Sequence, residues 1–230
     1  MKIIYRISDA GYNKVKPSYI GNENCLHNAT KIFNQSAWLV IADNTSTPTD
    51  EMISKYQSDV IKVSVGHGAG TFNLALTEAL KMNDNEIVYF LENDYLHKPD
   101  SPKILLEGFD IGADYIALYD HPDKYIDGAN PFVEGGGEIT KVFLSKSCHW
   151  KLTNSTTMTF AAKVKTLRQD EEILRSFTQG SYPRDFDMFL ALRDKGRSLI
   201  TPLPGYATHG ETMWLSPLTD WNDICNNTNI

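Results

Sequence analysis

Through its first 119 residues the chain alternates short apolar, β-branched runs with stretches whose apolar residues recur at helical spacing. The runs at 3–7, 37–42, 60–65, 87–91 and 115–119 read as strands, and 24–33, 48–56, 71–82 and 103–109 read as helices between them. Thr47 stands as a cap ahead of Pro48 at the first helical position. Parallel strands need a crossover of roughly a dozen or more residues between them, usually a helix, so repeated strand–helix units imply a mostly parallel sheet. Strands of this kind are covered on both faces, which explains runs with little polar alternation. The expectation is an α/β fold built on a mostly parallel sheet with helices on both faces. The rhythm then breaks. Residues 120–137, rich in Asp, Pro and Gly, read as a long loop, and 138–145 and 149–153 as short antiparallel strands. Helices follow at 162–177 and 183–194, the second ended by Gly196, then a strand at 198–201 and an irregular tail from 202. The reading is a single domain, 1–230, with a front half at 1–119 and a back half at 120–230.

Composition narrows the function classes. A net charge of −7 argues against a protein that coats nucleic acid. No stretch is apolar for long enough to span a bilayer, and the brief run after Met1 is too short for a secretory signal. Cys25, Cys148 and Cys225 have no metal-type spacing, so reduced thiols and a cytoplasmic location are expected.

The fourth apolar run ends abruptly in Glu92-Asn93-Asp94. Open α/β sheets bind their ligands at the C-terminal ends of strands. Residues i and i+2 of an extended segment point the same way, so two carboxylates can face one hard cation. A solvated turn would carry the same acids. Asp43 ends the second strand, where an acid can accept from a ribose hydroxyl or a base edge; a turn Asp beside Asn44, Thr45 and Ser46 is the alternative. Arg6, Ser8 and Asp9 leave the first strand at the same sheet edge. The turn Gly66-His-Gly68-Ala-Gly-Thr-Phe-Asn73 precedes a helix, and its glycines would let backbone approach an anion, though it matches neither the dinucleotide fingerprint nor the P-loop.

In order and spacing these pieces resemble the GT-A fold of nucleotide-sugar glycosyltransferases, especially the family 2-like group, with its Rossmann-like sheet and smaller antiparallel acceptor-side portion. The resemblance implies that Arg6, Ser8, Asp9, Asp43, Gly68, Asn73, Glu92 and Asn93 hold the nucleotide sugar, a UDP-sugar foremost and a GDP-sugar as the alternative. It implies that Glu92-Asn93-Asp94 is the Asp-x-Asp motif, with Glu in place of the first Asp, Asp94 as the direct ligand of Mn²⁺ (or Mg²⁺) and Glu92 helping to hold the ion. His209, followed by Gly210, resembles the third metal ligand. Arg184-Asp185-Phe-Asp187 is similar to the Glu-Asp-x-Asp segment, which puts Asp185 on the general base of inverting members. Trp150 and the Thr-rich run 153–159 lie where such enzymes meet a glycan or other hydroxyl acceptor. His97 reads as a loop residue.

Two rivals stand beside this reading. A sugar-phosphate nucleotidyltransferase shares a similar sheet, but its glycine-rich, Arg-containing loop after the first strand has no counterpart in Ser8-Asp-Ala-Gly-Tyr-Asn13. A glycan- or nucleotide-binding protein that lost the chemistry would accommodate the Glu at 92 and the Arg at 184.

Overall fold

The computed structural model describes residues 1–33 and 38–228, so Ala37, the expected start of the second strand, lies outside the described residues. The front half follows the expected alternation. The elements are β1 (Lys2–Ser8), α1 (Asn22–Ile32), β2 (Trp38–Asp43), α2 (Thr47–Ser54), β3 (Asp59–Val63), α3 (Gly68–Ala79), β4 (Ile87–Glu92), β5 (Tyr95–His97), α4 (Ser101–Asp110) and β6 (Tyr115–Ile116). The back half adds β7 (Val133–Glu134), β8 (Gly137–Glu138), β9 (Val142–Leu144), β10 (His149–Leu152), β11 (Phe160–Lys163), α5 (Val164–Ser176), α6 (Asp185–Asp194), β12 (Leu199–Leu203), β13 (Ala207–His209) and α7 (Trp221–Thr228).

The main sheet has the order β3-β2-β1-β4-β11-β6-β12-β10-β9. β3, β2, β1 and β4 are parallel to one another, while β11 runs antiparallel between β4 and β6. Apolar residues cover both faces. One layer packs Leu26, Phe33, Ile53, Ile104, Leu105 and Trp150 against β1, β2 and β4; the other packs Phe72, Leu76, Leu167, Leu174, Met188 and Phe189 against the reverse face. Helices therefore flank the sheet on both sides, as the unalternated strands require.

Three expectations need correction. Ala162 and Lys163, expected to begin a helix, instead end β11, because Phe160, Ala161 and Ala162 are buried between two strands. The tail is ordered beyond 202: β12 continues to Leu203, β13 pairs with β5, and α7 packs through Trp221 and Cys225 on Ile20, Cys25 and Leu96. His97 is no loop residue. It ends β5 fully buried, its Nε2 2.8 Å from Tyr89 Oη, and its backbone N–H donates to Asn28 Oδ1 at 2.8 Å.

The order of strands changes direction at β1, which has β2 on one side and β4 on the other. Register sets Ser8 beside Asp43 and Arg6 beside Glu92. Chain connections leave in opposite directions from such a point and open a crevice at the strand ends.

Candidate active site

That crevice is a cleft of about 500 Å³ lined by β1's end, the loop after it, the α3 turn and the end of β4. Of the expected nucleotide-sugar residues, Arg6, Ser8, Asp9, Asp43, Gly68, Glu92 and Asn93 all line it. Asn73 does not: one turn further along α3, it donates to the Thr178 carbonyl at 2.8 Å and receives Thr178 Oγ1. It braces α3 against the end of α5.

Several lining groups are already engaged. Arg6 is 5% exposed; it donates to the Gly68 carbonyl at 3.1 Å and the Met158 carbonyl at 3.3 Å and pairs with Glu92 Oε1 at 3.2 Å. Glu92 also receives Thr159 Oγ1 at 3.2 Å. The Asp43 carboxylate accepts from the Val65 N–H at 2.6 Å and the Gly66 N–H at 2.9 Å, fixing the turn ahead of α3. Gly66 has φ +80°, a conformation open to glycine. Asp9 accepts from the Ser46 N–H at 2.6 Å and Thr49 Oγ1 at 2.7 Å. Burial works against its charge, but these bonds prevail and hold its carboxyl below the usual range. Asn93 donates to the Ser8 carbonyl at 3.1 Å and to Asn22 Oδ1, which ties β4's exit to β1.

At the far end stand Asp94 and His209, 3.3 Å apart between Oδ2 and Nε2. They meet because β5 and β13 pair antiparallel with Tyr95 opposite His209. Gly210 permits the approach: a Cβ there would stand 2.8 Å from the Asp94 carbonyl oxygen and 2.4 Å from Ile20 Cγ2. Both side chains are nearly buried. Lys14 Nζ lies 2.9 Å from His209 Nε2 and 3.7 Å from Asp94 Oδ2, and Lys16 Nζ lies 3.1 Å from the same oxygen. Burial would push the Asp94 carboxyl up, but His209, Lys16 and Lys14 outweigh it and hold the group well below the carboxylate range.

These contacts bear on the expected Mn²⁺ (or Mg²⁺). A hard cation needs several lone pairs turned into one space. Asp94 and His209 offer two, but Glu92, also expected to help hold the ion, is turned to Arg6 and Thr159. Among the described residues no group of three or more His, Cys, Asp or Glu is gathered as a metal cage. Two ammonium groups, Lys14 and Lys16, already stand against the Asp94–His209 pair and would repel a doubly charged ion held there. As arranged, the residues do not fit a resident divalent cation.

Asp185 opens α6, half-buried, its Oδ1 receiving the Phe186 N–H at 2.8 Å. Desolvation raises its pKa to about 7, with the charge of Glu92 adding and backbone N–H groups and His209 opposing. Asp185 is not among the residues that line the cleft, but the charges of Glu92 and His209 both reach its carboxyl. Trp150 is corrected: it is fully buried among Ile116 and α4, where a Cβ at Gly108 would stand 3.0 Å from its ring, so it offers no face to an acceptor. The Thr-rich run lies behind the site; Thr159 holds Glu92, and Thr157 meets Tyr95 Oη at 2.5 Å.

The sequence reading passed over Tyr12, Lys14, Lys16, Asn22, His67 and Thr71, all on the cleft wall. The pair Lys14-Val-Lys16 just after the first strand was the one available signal.

Solved structures share this architecture. Residues covering 93% of this chain superpose on 44% of GalNAc-T7, solved with UDP, GalNAc and Mn²⁺, at TM-score 0.59 and 11% identity. The S. aureus TarS fragment 1-349 matches over 87% of this chain and 58% of its own, at TM-score 0.52 and 14% identity; the same fragment was also solved with UDP. The fold is GT-A. CMP:2-keto-3-deoxy-manno-octonic acid synthetase, solved with CTP, matches over 89% of this chain and 91% of its own, at TM-score 0.50 and 14% identity. The chain thus spans about half the length of the two transferases. No protein-family model matches it, and no curated protein matches it in sequence. No helix among the described residues is long and apolar enough to cross a membrane.

Proposed function

We propose that the chain is a glycosyltransferase that moves a sugar from a nucleoside-diphosphate donor to the hydroxyl of a glycan or similar acceptor. A UDP-sugar is the first-choice donor, since UDP stands in the GalNAc-T7 and TarS structures; a GDP-sugar is the alternative. The observation that carries the reading is the cleft at the β1/β4 switch point, with Asp185 at the head of α6 near enough for its carboxyl to feel the charge of Glu92 on the cleft wall.

Asp43, Ser8 and the α3 turn at Gly68 bound the nucleoside end of the cleft, and Asp94 with His209 bounds the other. Asp185 takes the proton of the acceptor hydroxyl, a role suited to a base titrating near neutrality. The acceptor oxygen bonds to the anomeric carbon while the bond from that carbon to the phosphate oxygen breaks, its electron pair leaving with the nucleoside diphosphate. One displacement of this kind inverts the anomeric centre, the outcome the family resemblance implies. The metal dependence expected from that resemblance is not part of this reading, because Glu92 is committed to Arg6.

One observation favours a second reading. Lys14 and Lys16 put basic groups just after β1, where nucleotidyltransferases carry a cationic loop. Product analysis separates the two: a transferase releases nucleoside diphosphate from a nucleotide sugar, whereas a nucleotidyltransferase releases pyrophosphate from a nucleoside triphosphate. A melting-temperature panel with UDP, GDP, CDP and dTDP tests the site itself, and stabilisation by one base above the others is expected.

A further inference from the structure

The four carboxylates of the cleft wall are Asp9, Asp43, Glu92 and Asp94, and a diphosphate must enter among them. Arg6, the third lining cation beside Lys14 and Lys16, is committed to Glu92, Thr71 and two backbone carbonyls. We infer that Lys14 and Lys16 bind the donor's diphosphate directly, as a pair of fixed ammonium groups standing where a divalent cation would otherwise be needed. This rests on the nucleotide-sugar reading of the cleft.

Geometry and chemistry support it together. Each ammonium has three N–H donors, and the contacts to Asp94 and His209 leave donors over. Their side chains keep 26% and 30% exposure while lining the cleft, so an entering phosphate can reach them. Asp94 and His209 then act as the anchor that aims the lysines. Asp94, nearly buried, supplies the negative charge that holds both.

The loop that carries them is braced on both sides. Tyr12 stacks on Tyr182 with ring centroids 4.6 Å apart; its hydroxyl donates to the Ser181 carbonyl at 3.1 Å and accepts from the Gly68 N–H at 3.0 Å. Val15, between the two lysines, accepts from the Thr212 N–H at 2.9 Å. Ordering long side chains on binding weakens a complex, and a pre-braced loop reduces that cost. The same bracing ties the lysine segment to the loop ahead of α6 that leads to Asp185.

Titration calorimetry tests the inference on the full chain, using UDP and uridine, and GDP and guanosine, in excess EDTA and again with Mn²⁺. Whichever diphosphate binds is expected to bind within about twofold in the two conditions, and more tightly than its nucleoside. Lys14→Gln and Lys16→Gln should each weaken the diphosphate about tenfold while leaving the nucleoside unchanged, and Lys14→Arg and Lys16→Arg should restore most of the loss. Matching melting temperatures for the Gln and Arg variants rule out misfolding as the cause. Diphosphate binding that vanishes in EDTA and returns with Mn²⁺ overturns the inference alone, as do Gln variants that bind the diphosphate like the parent. Failure of every diphosphate and nucleoside to bind the parent protein overturns the inference and the nucleotide-sugar reading together.

Discussion

Asp94 and His209, 115 positions apart in the chain, touch through Oδ2 and Nε2 at 3.3 Å because Gly210 lets β13 lie against the backbone of Asp94. A methyl at 210 would meet both the Asp94 carbonyl oxygen and Ile20. Gly210→Ala should therefore cost about 1–3 kcal/mol of stability, the usual cost of overpacking. Nucleotide affinity should fall as well, since the Lys14 and Lys16 anchor shifts with it. Chemical denaturation and calorimetry on the same sample measure the two effects.

Asp185 makes the pH dependence of transfer predictable. Its carboxyl holds a proton up to about pH 7, so the rate should rise through that pH and level off above it. Asp185→Asn should lower the transfer rate about 10²–10⁴-fold and leave nucleotide binding intact. Stability carries the opposite sign. A raised folded-state pKa means that the folded chain keeps a proton the unfolded chain releases, so this group's contribution falls as pH rises from near 4 to 7. Asp185→Asn should thus melt no lower than the parent at pH 8.

His97 should govern part of the acid response. Burial alone pushes its imidazole down to about 3. The unfolded chain takes up that proton below its ordinary value of 6.5, and the folded chain does not. Stability is therefore lost as pH falls, by about 2 kcal/mol from this group between pH 6.5 and 5. Denaturation curves at both pH values should show that His97→Gln is less stable than the parent at pH 6.5 yet has a shallower acid slope.

Trp150 separates a core role from an acceptor role. Fully buried against Gly108 and Ile116, it should cost about 3–5 kcal/mol when cut to Ala. The milder Trp150→Phe should melt lower than the parent while the KM for acceptor stays unchanged.

What the sequence disclosed, it disclosed through local pattern. Apolar runs bounded by helical spacing located β1 to β4, and parallel strands that end together bring Ser8, Asp43 and Glu92 to one edge. The cleft was therefore legible from strand ends. β11 was not, because Phe160-Ala-Ala-Lys163 is short and runs straight into a helix whose period swallows it. Lys14 and Lys16 were equally hidden. They lie in a segment with no periodicity and reach Asp94 and His209 only because that segment folds back onto the ribbon of β5 and β13. Trp150 misled for a related reason: an aromatic on a short strand looks the same whether its face meets a sugar or a neighbouring helix.

Under the proposed function the cleft splits a nucleotide sugar with Asp185 as the base. Release of nucleoside diphosphate from UDP- and GDP-sugars, followed with and without a panel of glycan acceptors, measures it directly. Slow release without acceptor, faster release with a suitable one, and loss of the acceptor-driven part in Asp185→Asn while diphosphate binding persists are expected. No release from any donor, or release that Asp185→Asn leaves unchanged, would contradict it.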